Sequence, residues 1–127
     1  MKDNKDFSLL VGPEEMMAEA VLMGAHGGIN GGANMFPRIY VRLYEAAVAR
    51  DFGKINNPQD KVLNISRSLY NVGQYGSSYL KGIKCVLSLM GICSDILAEP
   101  FCHFLPKERQ MVFNAVEKMN LGVNLKY

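Results

Sequence analysis

Two glycine-bounded segments near the start of the chain decide the fold class. Residues 7–15 read FSLLVGPEE, and residues 24–34 read GAHGGINGGAN. The nearly continuous apolar run at residues 7–11 is typical of a parallel strand that is buried on both faces. A helix is predicted over residues 13–23, because a proline tolerates the missing N–H at a first helical position and a glycine follows the last turn.

The second segment predicts another strand, over about residues 27–30, and then a glycine-rich turn. Glycine at such a turn permits positive φ and a close approach of the backbone to another group. A strand, a helix and a strand in this order predict a parallel βαβ unit, and therefore an α/β fold. Two parallel strands alone leave two exposed edges, so we expect the rest of the sheet to lie upstream of Met1.

The remainder of the chain is predicted to be helical, because apolar residues recur at helical spacing. The predicted helices lie at about residues 37–50, 58–72, 79–90 and 107–119. Asp51 is a plausible N-cap or turn residue, and the sequence Asn56-Asn57-Pro58 is expected to interrupt or start a helix. Gly91 is expected to stop the helix before it.

Composition excludes several functional classes. The chain has 127 residues, enough for one domain, and its 49% hydrophobic and 20% charged content is typical of a globular protein rather than of disorder. A net charge of +2, without a run of basic residues, argues against nucleic acid or an anionic membrane as a partner. No apolar stretch approaches the roughly 20 residues that span a bilayer, and the polar start does not resemble a signal peptide. We therefore expect a cytoplasmic protein.

Neither a metal site nor a nucleotide cofactor is predicted. The cysteines Cys85, Cys93 and Cys102 form no C-x-x-C pair, and the two histidines, His26 and His103, add no zinc-ligand spacing. The glycines of residues 24–32 span a whole predicted strand, whereas a dinucleotide-binding fingerprint opens directly into a helix. No cofactor is expected.

Four blocks, at residues 9–15, 24–37, 43–51 and 84–91, carry a resemblance to a known family. The second block is the most specific and follows the pattern G-A-x-G-x-I-x-x-x-x-N-x-x-P. Together the blocks resemble the dihydrodipicolinate synthase / N-acetylneuraminate lyase family of Schiff-base aldolases. The resemblance implies a (β/α)8 TIM barrel, of which this chain is the C-terminal fragment. Residues 1–50 would form the last two parallel strands with their helices, and residues 51–127 a C-terminal helical region.

The resemblance also implies a chemistry. Family members use a lysine on the sixth strand to form a Schiff base with pyruvate or another 2-oxo acid, and a tyrosine on the fourth strand to relay protons. The imine is an electron sink for making or breaking a C–C bond. Both residues would precede Met1, and Lys2 and Lys5 lie in a polar lead-in rather than on a strand. No catalytic residue is therefore expected in this chain, which would be inactive by itself.

Six residues are expected to shape the mouth of the substrate site, and these are Gly12, Glu14, Glu15, Ile29, Asn30 and Gly31. The resemblance makes the acid pair a contact for hydroxyls of the acceptor, and it places the backbone at Ile29 against the Schiff base. The alternative is structural: acids complement the dipole of the first helical turn, and glycines serve a tight turn. Gly31 stands where sialic-acid-cleaving members commonly carry a serine, which weakens the neuraminate interpretation.

The expected partners are a 2-oxo acid in the intact protein and further copies of the same chain, since family members are commonly tetramers. Two other hypotheses remain open. One is a non-catalytic, truncated paralogue. The other is a helical interaction module whose two strands pair with a partner.

Overall fold

The computed structural model describes residues 6–126, and Lys2 and Lys5 lie outside them. The strands are β1 (Leu10–Val11) and β2 (Gly27–Gly28). The α-helices are α1 (Met17–Leu22), α2 (Pro37–Val48), α3 (Phe52–Leu69), α4 (Ser78–Leu89) and α5 (Pro106–Met119), and short 3-10 helices cover Glu14–Met16 and Gly31–Asn34. Within the described part of the chain, no helix is both long and apolar enough to cross a membrane.

The two strands pair in parallel, which confirms a mixed α/β fold that is mostly helical. Leu10 lies opposite Gly27, and Val11 lies opposite Gly28. Both strands are shorter than the sequence predicts. Before β1, the Leu9 carbonyl accepts from the main-chain N–H of His26 at 2.8 Å, while the Leu9 N–H donates to Nδ1 of the His26 side chain at 2.9 Å rather than to a main-chain carbonyl.

The described residues form two compact units, and the first extends to Leu63. In it, α1 packs on α2, and Gly24, with φ of +105°, follows the end of α1 in the left-handed region that favours glycine. The hydrophobic core of this unit includes Met17, Ala18, Val21, Tyr40, Leu43, Ala47 and Val62. This core holds the two strands against α1 and α2.

The helix α3 corrects one prediction. Asn56-Asn57-Pro58 neither interrupts nor starts a helix, because α3 begins at Phe52 and runs through Pro58. Asp51 Oδ1 accepts a hydrogen bond from the main-chain N–H of Lys54 at 3.1 Å, which fixes the start of the helix. Pro58 is buried, and the packing of the apolar face of α3 outweighs the one N–H that proline lacks.

The second unit starts at Asn64 and contains the packed pair α4 and α5. Gly91, with φ of +74°, follows α4 as predicted, and Asn120, with φ of +46°, ends α5. The fully buried side chains of this pair include Cys85, Val86, Leu89, Val112 and Val116. The predicted division of the whole chain after residue 50 stays a prediction.

Candidate functional site

The site is built where the two parallel strands end, because the carboxyl ends of parallel strands lie at the same edge of a sheet. Beyond the ladder, the main-chain N–H of Ile29 donates to the Val11 carbonyl at 2.9 Å. The Asn30 side chain then replaces a main-chain contact, since its Nδ2 donates to the Gly12 carbonyl at 3.1 Å. The pairing of the two segments thus continues past the strands through a side chain.

The next contact in this series is made by a buried carboxylate. Glu14 is 2% exposed, and its Oε2 accepts a hydrogen bond from the main-chain N–H of Gly32 at 2.8 Å. Its other oxygen, Oε1, accepts from the Tyr40 hydroxyl at 2.7 Å. Both partners are donors, which suits a carboxylate that only accepts hydrogen bonds. We call Gly12, Glu14, Asn30, Gly32 and Tyr40 together the carboxyl-end clamp.

Local sequence explains how the clamp forms. Pro13 is extended, with φ of −60° and ψ of 110°, and it precedes the 3-10 turn that contains Glu14. Gly28 leaves space for the Asn30 side chain: a Cβ at this position would lie 3.0 Å from Sδ of Met17 and closer still to Oδ1 of Asn30. A glycine at the end of β2 is therefore required by close packing rather than by φ.

The six residues predicted from the sequence differ in their surroundings. Glu14 and Asn30 are buried, Glu15 and Gly31 are half-buried, and Gly12 and Ile29 are exposed. The side chain of Ile29 is 72% exposed, while its main chain belongs to the extended pairing. Glu15 is fixed through its main-chain carbonyl, which accepts from Gln59 Nε2 at 2.8 Å. The structure therefore brings Gly12, Glu14 and Asn30 together.

Sequence reasoning missed two members of the clamp. Tyr40 lies on the buried face of α2, where a helical stripe gives no signal that its hydroxyl has a polar partner 26 positions earlier. Gly32 was grouped with the other glycines of the turn, although it is its N–H that meets Glu14. The burial of Glu14, which the sequence does not show, is what requires such partners.

A cleft of about 370 Å³ runs along the strands beside α2. Its lining is mainly apolar and includes Leu10, Gly27, Ala33, Val41 and Tyr44. His26 also lines the cleft, and its Nδ1 accepts a hydrogen bond from the main-chain N–H of Leu9. Among residues 6–126 no three histidine, cysteine, aspartate or glutamate side chains are grouped so that they could hold a metal ion.

Comparison with known proteins identifies the family of this chain. The model of the dihydrodipicolinate synthetase family matches residues 1–119. The chain belongs to this family. A dihydrodipicolinate synthase structure from Bacteroides thetaiotaomicron is 60% identical, with a TM-score of 0.90, over 93% of this chain and 40% of its own. A prophage protein of the family from E. coli K12, solved in complex with pyruvate, shares the fold at 21% identity and a TM-score of 0.78, over 91% of this chain and 38% of its own.

Curated relatives agree with this family assignment. A 4-hydroxy-tetrahydrodipicolinate synthase from Ruegeria pomeroyi is 31% identical over 75% of this chain, which spans 31% of that protein. An uncharacterised DapA-like lyase from Thermofilum pendens is 30% identical over 70% of this chain, which spans 28% of it. The chain is thus homologous to lyases of the dihydrodipicolinate synthetase family and spans about a third of their length.

Proposed function

We propose that this chain forms the last two βα units and the C-terminal helical region of a (β/α)8 barrel that acts on pyruvate or another 2-oxo acid. Residues 1–50 would supply the barrel units, and residues 51–127 the helical region. The observation that carries the proposal is the parallel pairing of β1 and β2, with their carboxyl ends tied together by the clamp. In barrels of this kind, that end of the strands carries the active site.

Exposed apolar side chains beside the two strands support the barrel. Leu9 is 38% exposed, Leu10 is 47% exposed, and Val41, across the cleft on α2, is 51% exposed. Side chains of this type next to a two-stranded sheet are suited to burial against further strands and helices. In the proposed protein the neighbouring barrel units cover them.

The proposed chemistry needs a lysine from another strand. Neither β1 nor β2 contains a lysine, and the first lysine among residues 6–126, Lys54, lies on α3. The imine-forming lysine would therefore lie on a barrel strand outside these residues. It would attack the 2-oxo carbon of pyruvate and release water. The resulting imine would accept the electron pair of a C–C or C–H bond that is broken, and the enamine so formed would donate a pair when a C–C bond is made. By itself the chain would be inactive.

The six residues predicted from the sequence would shape the mouth of this site: Gly12, Glu14, Glu15, Ile29, Asn30 and Gly31. Gly12 directly follows β1 and is exposed, and the main chain from Ile29 to Gly31 directly follows β2. Both segments would therefore face a ligand bound at the carboxyl ends of the barrel strands. The complex of the E. coli relative with pyruvate supports a 2-oxo acid as the substrate class.

Assembly and compartment belong to the same proposal. The whole protein would act in the cytoplasm as a homo-oligomer. Exposed apolar side chains in the second unit support a subunit contact there, since Ile92 is 62% exposed, Ile96 is 71% exposed and Leu105 is 65% exposed.

Borohydride trapping tests the chemistry. The part of the Bacteroides thetaiotaomicron relative that this chain does not match would be joined to the chain, so that the barrel is complete. Incubation with pyruvate and borohydride should add the mass of pyruvic acid less one oxygen atom, because imine formation loses water and reduction adds two hydrogens. Peptide mapping should place this adduct on a lysine from the relative's part, and the same sample without pyruvate is the control.

Two outcomes would contradict the proposal. An adduct on a lysine of this chain would place the nucleophile within it. A folded chimaera that forms no adduct would instead favour the non-catalytic paralogue or the interaction module.

A further inference from the structure

We infer that Glu14 is a positioning residue, which holds the backbone from Ile29 to Gly32 in place at the reaction site and does not itself contact substrate. The inference rests on the proposed function and refines it. The two neighbouring acids therefore have different roles, because Glu14 is buried while Glu15 is half-buried.

The Glu14 carboxylate is buried, and both of its oxygens are hydrogen-bonded. Each of its oxygens accepts a short hydrogen bond, from Gly32 N–H at 2.8 Å and from the Tyr40 hydroxyl at 2.7 Å. Tyr40 is 4% exposed, so neither partner is replaced by solvent. Because Glu14 is 2% exposed, a substrate hydroxyl could reach its carboxylate only by opening the close packing around it.

The segment that Glu14 anchors, residues 29–32, is held at several points. Its amino end is fixed by the hydrogen bond from Ile29 N–H to Val11, and its middle by the bond from Asn30 to Gly12. Glu14 fixes its far end at Gly32. The carbonyl of Ile29 and the main chain of Gly31 are therefore held between anchors at both ends, on the edge where a substrate would bind.

The placement of this backbone should affect the rate of imine formation. Near an imine that must be attacked from a defined direction, a displacement of about 1 Å reduces the rate on the order of 100-fold. Loss of one anchor at Gly32 releases the end of the segment. The effect should therefore appear in the step that forms the pyruvate imine, and not only in the binding of an acceptor.

The test uses Glu14→Gln and Tyr40→Phe in the completed barrel, with Glu19→Gln as the control because Glu19 is an exposed acid on the neighbouring helix α1. The rate of borohydride trapping is measured against pyruvate concentration, well below the melting temperature of each variant. We expect Glu14→Gln to lower the trapping rate roughly 10- to 100-fold. Tyr40→Phe should lower it in the same direction, and the double variant should lose less than the product of the two single effects. Glu19→Gln should match the parent.

A second measurement uses the 127-residue chain itself. The amide resonance of Gly32, followed by NMR, should shift in Glu14→Gln and also in Tyr40→Phe, although Tyr40 does not bond to Gly32. It should be unchanged in Glu19→Gln. An unchanged chemical shift of the Gly32 amide in Tyr40→Phe would contradict the proposed coupling of Tyr40, Glu14 and Gly32.

The outcomes separate this inference from the proposed function. If the parent chimaera forms no pyruvate adduct, the proposed function fails, and the role of Glu14 in it fails too. If the parent forms the adduct but Glu14→Gln traps pyruvate at the parental rate, the inference alone is overturned, and Glu14 is a fold-stabilising acid only.

Discussion

Two ion pairs of equal length in this chain should differ in their contribution to stability. Arg109 Nη1 lies 2.8 Å from Asp95 Oδ2, and the side chains are 25% and 23% exposed. Lys54 Nζ lies 2.8 Å from Asp51 Oδ2, but its side chain is 80% exposed and that of Asp51 is 36% exposed. Because water and salt screen exposed charges, the first pair should stabilise the fold and the second should contribute little.

The substitution Asp95→Asn removes one charge and preserves the side-chain shape. Arg109 would keep its contacts of 3.3 and 3.4 Å with Ser88 Oγ, but its charge-assisted bond would become a bond to a neutral amide. The guanidinium keeps its charge, so the loss is the attraction between two opposite charges, which should cost about 1 kcal/mol. The matched control is Lys54→Gln, which retains the main-chain N–H that Asp51 caps. It should leave stability unchanged within error.

Urea unfolding followed by far-UV circular dichroism measures both variants. Asp95→Asn should lower the urea midpoint without changing the slope of the transition, and Lys54→Gln should unfold with the parent. Raising the salt to about 1 M should leave most of the difference between Asp95→Asn and the parent in place, because partly buried pairs are screened less. Equal losses of stability in Asp95→Asn and Lys54→Gln, or a parental urea midpoint for Asp95→Asn, would show that burial does not decide the strength of these ion pairs.

Three further results are expected in the same assay. Gly82→Ala should cost about 1–3 kcal/mol, because its Cβ would lie 2.7 Å from the Leu69 carbonyl oxygen, while Gly76→Ala, with open space around it, should not. Burial raises the pKa of the Cys85 thiol from 9.0 to about 11. The folded state therefore holds this proton more tightly, so stability should fall as the pH rises through this range, and less so in Cys85→Ala. Leu43→Ala, at a fully buried position, should cost about 2–5 kcal/mol; a loss below 1 kcal/mol would contradict the assigned core.

Local chemistry explains why much of the fold was predictable. Gly24 and Gly91 follow apolar helical stripes, and both adopt the positive φ that ends a helix without a Cβ penalty. The parallel strand pair followed from the order of a strand, a helix and a strand, because a short helical crossover favours parallel pairing. These features depend on neighbours in the sequence.

The features that sequence did not predict depend on long-range contacts. Pro58 is inside α3 because packing over the whole helix outweighs a local breaking signal. The bond between Tyr40 and Glu14 joins residues 26 positions apart, and periodicity does not reveal which buried polar groups meet. The hydrogen bond from the Leu9 N–H to the His26 side chain, 17 positions away, is a long-range contact of the same kind.

Complementation between two separate polypeptides tests the central claim most directly, namely that β1 and β2 are neighbouring strands of a larger barrel. This chain would be co-expressed with the unmatched part of the Bacteroides thetaiotaomicron relative. The account predicts that the two co-elute in size-exclusion chromatography and that the mixture, unlike either part, gains a borohydride-trapped pyruvate adduct. Separate elution of the two polypeptides, with no adduct in the mixture, would contradict the account.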